Sequence, residues 1–481
     1  MTTTILLILI VSIAVLLLIV MFIPSKKSSN TSNKLKEIFE LKAGRKTLKF
    51  FNPYIGFLIY GGAGSGKTKS IAKPLLEQYI KHGFAGFIYD YKDFDLTQTA
   101  RHLCLKHNYK HKFYSISFTD MNMTYRTNPI APHVVKDENI FLQLLDDLFL
   151  AYIHGQQNEW TEGAKGVLQG VGYRFFEEIP QYCTIPHIAI FICTAGAENL
   201  TAFLEGNVRS RGLASAFLDS KRSPKTQASY LSSLTNILSK LSFNKNVAYV
   251  LSGNDFDFNL IDPDSPKLVS VCNSFQIESL ISPIISLMLS ISSRQFTMKN
   301  KIPFFYMLDE ATTFKINDFQ KYPSVLREYK CSITLLTQSA SKIEQLYGKQ
   351  AKASIESNFG NQFYGRTLDT LAIQAYPLIF GKREQERVSR SKGSTASGNS
   401  ASTTVSHSKE LIYDPNVFTE LLAGEFIGRA TDANMKTFKL RFSLYQDKEE
   451  NITSENTESD KVDFVYSQIQ ENVKEVIKLL Q

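Results

Sequence analysis

Gly61-Gly62-Ala63-Gly64-Ser65-Gly66-Lys67-Thr68 fits the pattern G-x-x-x-x-G-K-[ST], and its flanks indicate how the chain folds around it. Phe57-Leu58-Ile59-Tyr60, just before, is a strand-like apolar run. Ile71, Leu75, Leu76 and Tyr79, just after, recur at helical spacing. A strand, a loop and a helix in that order aim several backbone N–H groups and the positive helix end at one phosphate. Glycines are needed because a Cβ would hold the backbone away from the phosphate oxygens. The expected nucleotide contacts are Gly61, Gly62, Ala63, Gly64, Ser65, Gly66, Lys67, Thr68 and Lys69. Lys67 is expected to reach the β- and γ-phosphates of ATP, and Thr68 to ligate Mg²⁺. The bland alternative, a glycine-rich turn that binds nothing, does not account for the strand and helix on either side.

A phosphate loop needs a partner on the metal side. Phe304-Phe305-Tyr306-Met307-Leu308-Asp309-Glu310 is an apolar run ending in two carboxylates. A buried parallel strand would deliver them at its C-terminal edge, beside the phosphates. Asp309 is expected in the Mg²⁺ shell and Glu310 as the group that polarises the attacking water. Standing alone, the run would equally fit a strand followed by an acidic helix cap. Two more runs read as strands of the same sheet, each meeting polar residues at its end: Phe87-Ile88-Tyr89-Asp90 and Ser332-Ile333-Thr334-Leu335-Leu336. The second leads into Thr337-Gln338, which places Gln338 to sense a γ-phosphate or position water. Val269 to Cys272 is a further candidate strand. Parallel strands alternating with helices define an α/β core.

The 481 residues carry 54 Lys and Arg against 46 Asp and Glu, a net +8 that permits an acidic partner without demanding one. Hydrophobic residues at 43% and charged residues at 21% exclude a disordered or collagenous chain. The five cysteines form no C-x-x-C pair, which argues against a disulfide framework or a zinc site. Ile5 to Ile23 is apolar except for Ser12. As a helix it would run about 28 Å, near the roughly 30 Å of a bilayer core. Nothing basic precedes it, as a cleaved signal would require, while Lys26, Lys27, Lys34 and Lys36 follow. The expectation is an uncleaved anchor with the rest of the chain on the cytoplasmic side.

Ser389 to Ser408 holds eight Ser, three Thr and two Gly, a composition that predicts a mobile surface loop. Its neighbours Arg383, Arg387, Arg390 and Lys392 would suit nucleic acid, though a solvated loop accounts for them as well. Residues 138–153 and 227–243 read as amphipathic helices, and the glycines at 163, 166, 170 and 172 weaken the helix between them. Trp160, the only tryptophan, is expected in the core rather than as a base-stacking platform. Lys221, Arg222 and Lys225 form a small basic cluster that would suit a DNA entry, though a solvated loop is the expected reading. Beyond an acidic stretch, Val462, Val465, Ile469, Val473, Val476, Ile477 and Leu480 form the apolar stripe of a terminal helix, docked on its own domain or on a partner.

These motifs, in order, resemble those of the type IV coupling proteins of bacterial conjugation, ATPases of the TraG/TraD sort. The resemblance runs through Gly61 to Pro74 with its downstream proline, and through the Asp-x-Lys-x-acid pattern of Tyr89 to Asp93. It continues in Thr127-Asn128-Pro129-Ile130, in Met307 to Ala311, and in Leu326 to Gly348 with its Gln and closing Tyr-Gly. The region Lys409 to Gly424, with Leu-x-x-Pro and Gly-Glu, completes it.

The resemblance implies an α/β fold: a RecA-like P-loop ATPase domain with an inserted all-α domain and one N-terminal transmembrane helix. It implies the inner (cytoplasmic) membrane, a homo-hexamer, and a role coupling a relaxase–DNA complex, the relaxosome, to a type IV secretion channel by ATP hydrolysis. It also implies that Arg327 reaches a neighbouring subunit's nucleotide. An intrachain ion pair with Glu328 or Asp318 is the alternative for that arginine. The family usually has two membrane helices, whereas this sequence offers one. The expected division is an anchor over 1–24, a tether over 25–45 and a nucleotide-binding domain over 46–136 and 259–446. The all-α domain takes 137–258, an acidic linker 447–461, and the terminal helix 462–481. Two other readings compete: a different membrane-anchored DNA translocase, and a relaxosome receptor platform that uses ATP only to assemble. The absence of an N-K-x-D base-reading motif disfavours a GTPase.

Overall fold

The computed structural model describes residues 37–92, 94–153, 159–298, 300, 302–395, 398–446 and 459–480. The anchor expected over 1–24, most of the tether, Asp93 and most of the acidic linker lie outside them. Among the described residues, no helix is long and apolar enough to cross a membrane.

Thirteen strands are described: β1 (Phe39–Ala43), β2 (Lys46–Phe50), β3 (Phe57–Tyr60), β4 (Ala85–Asp90), β5 (Lys112–Ile116), β6 (Lys267–Cys272) and β7 (Phe304–Leu308). After them come β8 (Cys331–Thr337), β9 (Asn361–Tyr364), β10 (Lys382–Thr395), β11 (Gly398–Leu411), β12 (Glu425–Ala430) and β13 (Thr437–Arg441). Nine form one sheet in the order β13-β12-β9-β3-β8-β7-β4-β6-β5. From β9 to β5 every pairing is parallel, while β12 runs antiparallel to both β9 and β13. The pairings Tyr60↔Thr337, Leu308↔Leu335 and Tyr89↔Leu308 end these strands at one edge. Gly61, Tyr91, Asp309 and Gln338 therefore emerge side by side, as a parallel sheet requires.

Period-2 alternation splits the buried strand residues between two cores. Phe57, Ile59, Ile88, Phe305 and Met307 pack with Ile71, Leu75 and Tyr79 of the helix that follows the phosphate loop (Lys73–Lys81), and with Phe39 and Leu41 of the β1–β2 hairpin. Gly86 leaves room there: a Cβ would lie 2.4 Å from the Phe305 ring, which stacks on Tyr79 at 4.4 Å. The hairpin begins at Phe39, inside the span expected to be tether. On the other face, Tyr60, Phe87, Tyr89, Tyr306 and Leu308 share one continuous core with the helix Glu278–Ser293 and with the helices between Glu138 and Leu251.

From Glu138 to Leu251 the described residues contain helices and no strand. The expected helices appear as Glu138–Tyr152, capped by the Asp137 side chain, and Pro224–Ser242. Between them, Glu159–Glu177 is helical despite its glycines, because they are contact points. A Cβ on Gly163 would strike the Tyr230 ring at 2.3 Å, and one on Gly166 the Leu213 carbonyl oxygen at 2.5 Å. Close helix approach offsets the propensity cost of about 1 kcal/mol per glycine. Trp160 departs from expectation: it is 41% exposed, its ring meeting the core at Tyr230, 5.5 Å away between centroids. Its place in the first turn of the helix Glu159–Glu177 puts it at the domain surface. Lys221 and Arg222 are exposed, Lys221 pairing with Glu205 at 2.5 Å.

The expected loop at 389–408 is instead most of a β-ribbon, with β10 and β11 paired antiparallel in unbroken register from Lys382↔Leu411 to Thr395↔Gly398. Low burial argued for a loop, but a hairpin ladder needs cross-strand pairs, which Val388–Val405 and the Arg387–Glu410 ion pair supply. The terminal helix, Val462–Lys478, docks on its own chain. Val465, Ile469, Val473 and Val476 are buried, the Tyr466 hydroxyl donates to the Ser242 carbonyl at 3.0 Å, and Lys245 pairs with Asp463 at 2.5 Å.

Candidate nucleotide-binding site

The phosphate loop is held on three sides by backbone. The N–H of Gly61 donates to Thr337 O (3.3 Å) at the end of β8, and that of Gly62 to Arg366 O (2.7 Å) just past β9. The N–H of Gly424 donates to Ser65 O at 2.9 Å. Gly66 has φ 91° and faces Gly424 so closely that a Cβ would lie 2.6 Å from the Gly424 nitrogen. Here the loop has no room for a side chain. The first helical turn, Lys67–Ala72, is wide, of π type, with Lys73 N–H donating to Thr68 O. Pro74 explains the seam: without an N–H it cannot donate to Ser70 O, so the regular helix starts one turn late.

Lys67 is 6% exposed, donates to the Gly61 carbonyl, and stands 3.7 Å from Glu310 Oε1. Burial pushes its pKa below the ordinary lysine value, and Glu310 opposes that shift. Asp309 is fully buried, and among the described residues neither of its carboxylate oxygens has a hydrogen-bond partner. Burial raises its pKa to about 6 against the pull of Lys92. The Lys92 ammonium lies 3.7 Å from Asp309 Oδ2 and 3.3 Å from Thr68 Oγ1. A hydroxyl and an orphaned carboxylate facing one cation are hard oxygen donors, the set that suits Mg²⁺. Glu310, next in sequence, sits in the left-handed region at φ 46°, a strained conformation for a residue with a side chain. The turn is pinned by Thr313, whose N–H and hydroxyl donate to Glu310 O at 3.0 and 2.9 Å.

A cavity of about 490 Å³ opens over the loop, lined by residues 62–69 together with Lys92, Asp95, Glu310, Gln338, Ala423 and Leu444. The structure thus brings Lys67, Thr68, Lys69, Glu310 and Gln338 to one space, and Asp309 adjoins it through Lys92, 3.7 Å away. The Gln338 side chain accepts from Lys342 at 2.9 Å. Arg327 does not line that space. It is exposed on the short helix Tyr322–Glu328, and among the described residues its side chain has no ion-pair partner; Asp318 pairs instead with Lys321 at 3.0 Å.

Sequence reasoning gave no role to Lys92, Asp95 or the 423–444 region. The signals were nonetheless present. Asp90 is buried and accepts from the N–H groups of Lys92 (3.2 Å) and Thr97 (2.8 Å), so the Asp-x-Lys pattern is a turn that presents Lys92. Gly424 of the Gly-Glu pair abuts the phosphate loop because only a glycine, at φ 82°, fits there.

Fold and site together define an α/β protein with a P-loop nucleotide site. Residues 303–421 match a family described as the TraM recognition site of TraD and TraG. Among solved structures the chain is similar to the bacterial conjugative coupling protein TrwBΔN70 in its unbound monoclinic form (TM-score 0.66, 15% identity, covering 87% of this chain and 90% of that one). It is also similar to the plasmid coupling protein TrwB in complex with ADP and Mg²⁺ (0.63, 15%, 82% and 86%) and with the ATP analogue ADPNP (0.64, 15%, 84% and 88%). No curated protein matches in sequence. The segment match ties residues 303–421 to that family description, and the structural similarity shows a fold shared with the conjugative coupling proteins.

Proposed function

We propose that this chain is an ATP hydrolase that couples a relaxase–DNA complex to a type IV secretion channel during conjugative transfer, held at the bacterial inner membrane by the apolar run Ile5–Ile23. The observation that carries the reading is the buried, unsatisfied Asp309 carboxylate, sharing the Lys92 ammonium with Thr68 while Glu310 faces Lys67. Burial holds the Asp309 carboxyl above the ordinary carboxylate range, a cost that a cation bound beside it would offset. Thr68 and Asp309 would hold Mg²⁺, which when bound supplies charge neutralisation between the phosphates. Lys67 meets the β- and γ-phosphates from below the loop. Glu310 accepts the proton of the attacking water, and Gln338 fixes that water's orientation. Arg327 serves a neighbouring subunit, within a hexamer, by offsetting the charge that develops on the transferring phosphoryl group. The parallel run of β3, β8, β7 and β4, whose ends meet at the phosphate loop, supports this arrangement. Support for a relaxosome partner comes from the 303–421 match to a TraM recognition site, and support for the nucleotide from the similar structures described with ADP–Mg²⁺ and ADPNP.

The test is Mg²⁺-dependent ATP turnover by the full chain, with and without DNA, compared with Glu310→Gln. The variant is expected to bind ATP as the parent does and to turn over some 10²- to 10⁴-fold more slowly. Equal rates would remove Glu310 from the chemistry. Parental turnover that ignores DNA and relaxase would favour a platform over a motor.

A further inference from the structure

The register of the β10–β11 ribbon sorts the cations that composition left ambiguous. In the half nearest Gly381 and Ile412, charges face charges. Arg383 stands opposite Glu410, Glu384 opposite Lys409 and Glu386 opposite His407, and Arg387 makes an ion pair with Glu410. Beyond the exposed cross-strand pair Val388–Val405 the pattern changes. Residues 389–404 contain Arg390 and Lys392, six Ser and three Thr, and no acid. Arg390 is exposed, stands opposite Thr403, and has no ion-pair partner among the described residues; Lys392 stands opposite Ala401. The ribbon forms no ladder with the nine-stranded sheet, and 14 residues in each strand extend about 45 Å. Its inner half balances its own charge. Its outer half offers positive charge and hydroxyl groups that no carboxylate of that half offsets.

We propose that the outer half of the ribbon, residues 389–404, holds DNA by its phosphate backbone. The inference rests on the DNA partner proposed above and adds the surface that meets it. Cations and hydroxyl groups are the side chains that bind phosphate oxygens, and they do so without reading sequence. Positions two apart on a strand share a face and lie about 7 Å apart, so 390 and 392 span about two phosphates of one DNA strand. A two-stranded ribbon is also narrow enough for the major groove of a duplex. The missing carboxylates matter as much as the cations, because acids at the same place would repel a polyanion. A protein partner fits less well: residues 389–404 include no aromatic or large aliphatic residue to anchor one.

Binding of the full chain to a labelled duplex and to a labelled single strand, followed by anisotropy across a salt series, tests this. Arg390→Ser combined with Lys392→Ser is expected to weaken binding roughly tenfold at low salt, equally for duplexes of different sequence. The slope of log affinity against log salt is expected to flatten by about 2, one for each cation removed. Exchanging the cations, Arg390→Lys with Lys392→Arg, is expected to keep both affinity and slope, and all variants to bind ATP as the parent does. An unchanged salt slope in the serine variant would overturn the contact. So would a chain with residues 383–410 replaced by a Gly-Asn turn that sediments as smaller assemblies yet binds DNA as the parent does, since the ribbon would then clasp a second copy. A parent that binds neither DNA would instead sink the DNA partner itself.

Discussion

At the scale of single residues, the site depends on backbone contacts as much as on charge. Gly66 and Gly424 meet with no space for a Cβ on Gly66, and Gly424 has φ 82° with Ser70 Oγ and Phe442 O lying 2.9 and 3.0 Å from where its own Cβ would be. Gly424→Ala therefore combines left-handed strain with a clash against a backbone carbonyl, a cost of about 1–3 kcal/mol. Gly83, at φ 71°, carries the strain alone, since nothing lies within 4 Å of a Cβ there. Both variants are expected to lower stability in a denaturant titration. Only Gly424→Ala is expected to weaken ATP binding, because it alone moves the turn that accepts the loop. Equal ATP affinity in the two would show that the close approach does not shape the loop. The electrostatic side is complementary. Lys67, Glu310 and Asp309 are all nearly excluded from water; Lys67 and Glu310 offset one another's charge, while Asp309, opposed by Glu310, depends on Lys92.

Among the elements, the strands that carry the site were legible because parallel strands buried on both faces read as short continuous apolar runs. Phe57–Tyr60, Phe87–Asp90, Phe304–Leu308 and Ser332–Leu336 all fall within β3, β4, β7 and β8. The carboxylates at the end of β7 followed from that reading. What escaped were features set by contacts distant in sequence. The glycine-rich helix Glu159–Glu177 looked weak because its partners Tyr230 and Leu213 lie more than forty residues away. The C-terminal lining of the nucleotide cavity escaped because Ala423 and Leu444 meet the loop only through the sheet's antiparallel edge. The β10–β11 ribbon escaped because ladder pairing leaves no burial signature in composition. It also stands apart from the nine-stranded sheet, and Ile412 N–H donates to Gly381 O at 3.1 Å, so the chain leaves and re-enters at one point. Replacing residues 383–410 by a short Gly-Asn turn is therefore expected to shift the thermal midpoint by no more than about 2 °C and to leave ATP affinity unchanged. A large drop in midpoint would mean that the ribbon supports the sheet.

For the whole molecule, the notable feature is that one apolar core runs from the sheet into the helical insertion, to which the terminal helix is docked. The helical insertion and the strand β7 thus pack against the same core, and the remaining question is how one chain's site relates to another's. Arg327 bears on this directly. It is exposed, carries no ion-pair partner among the described residues, and lies outside its own chain's cavity, although it precedes β8, the strand that delivers Gln338 to that cavity. A guanidinium in that position lies outside its own nucleotide site, and the hexamer proposed above would bring it to a neighbour's. Arg327→Ala is expected to bind ATP as the parent does and to hydrolyse it poorly. Glu310→Gln is expected to show the same pair of properties for a different reason. Mixing the two variants creates interfaces at which an intact Glu310 site faces an intact Arg327, so the mixture is expected to hydrolyse faster than the sum of the separate preparations. Subunit exchange is confirmed first by energy transfer between differently labelled chains. With exchange established, a mixture no faster than that sum would return Arg327 to a role within its own chain.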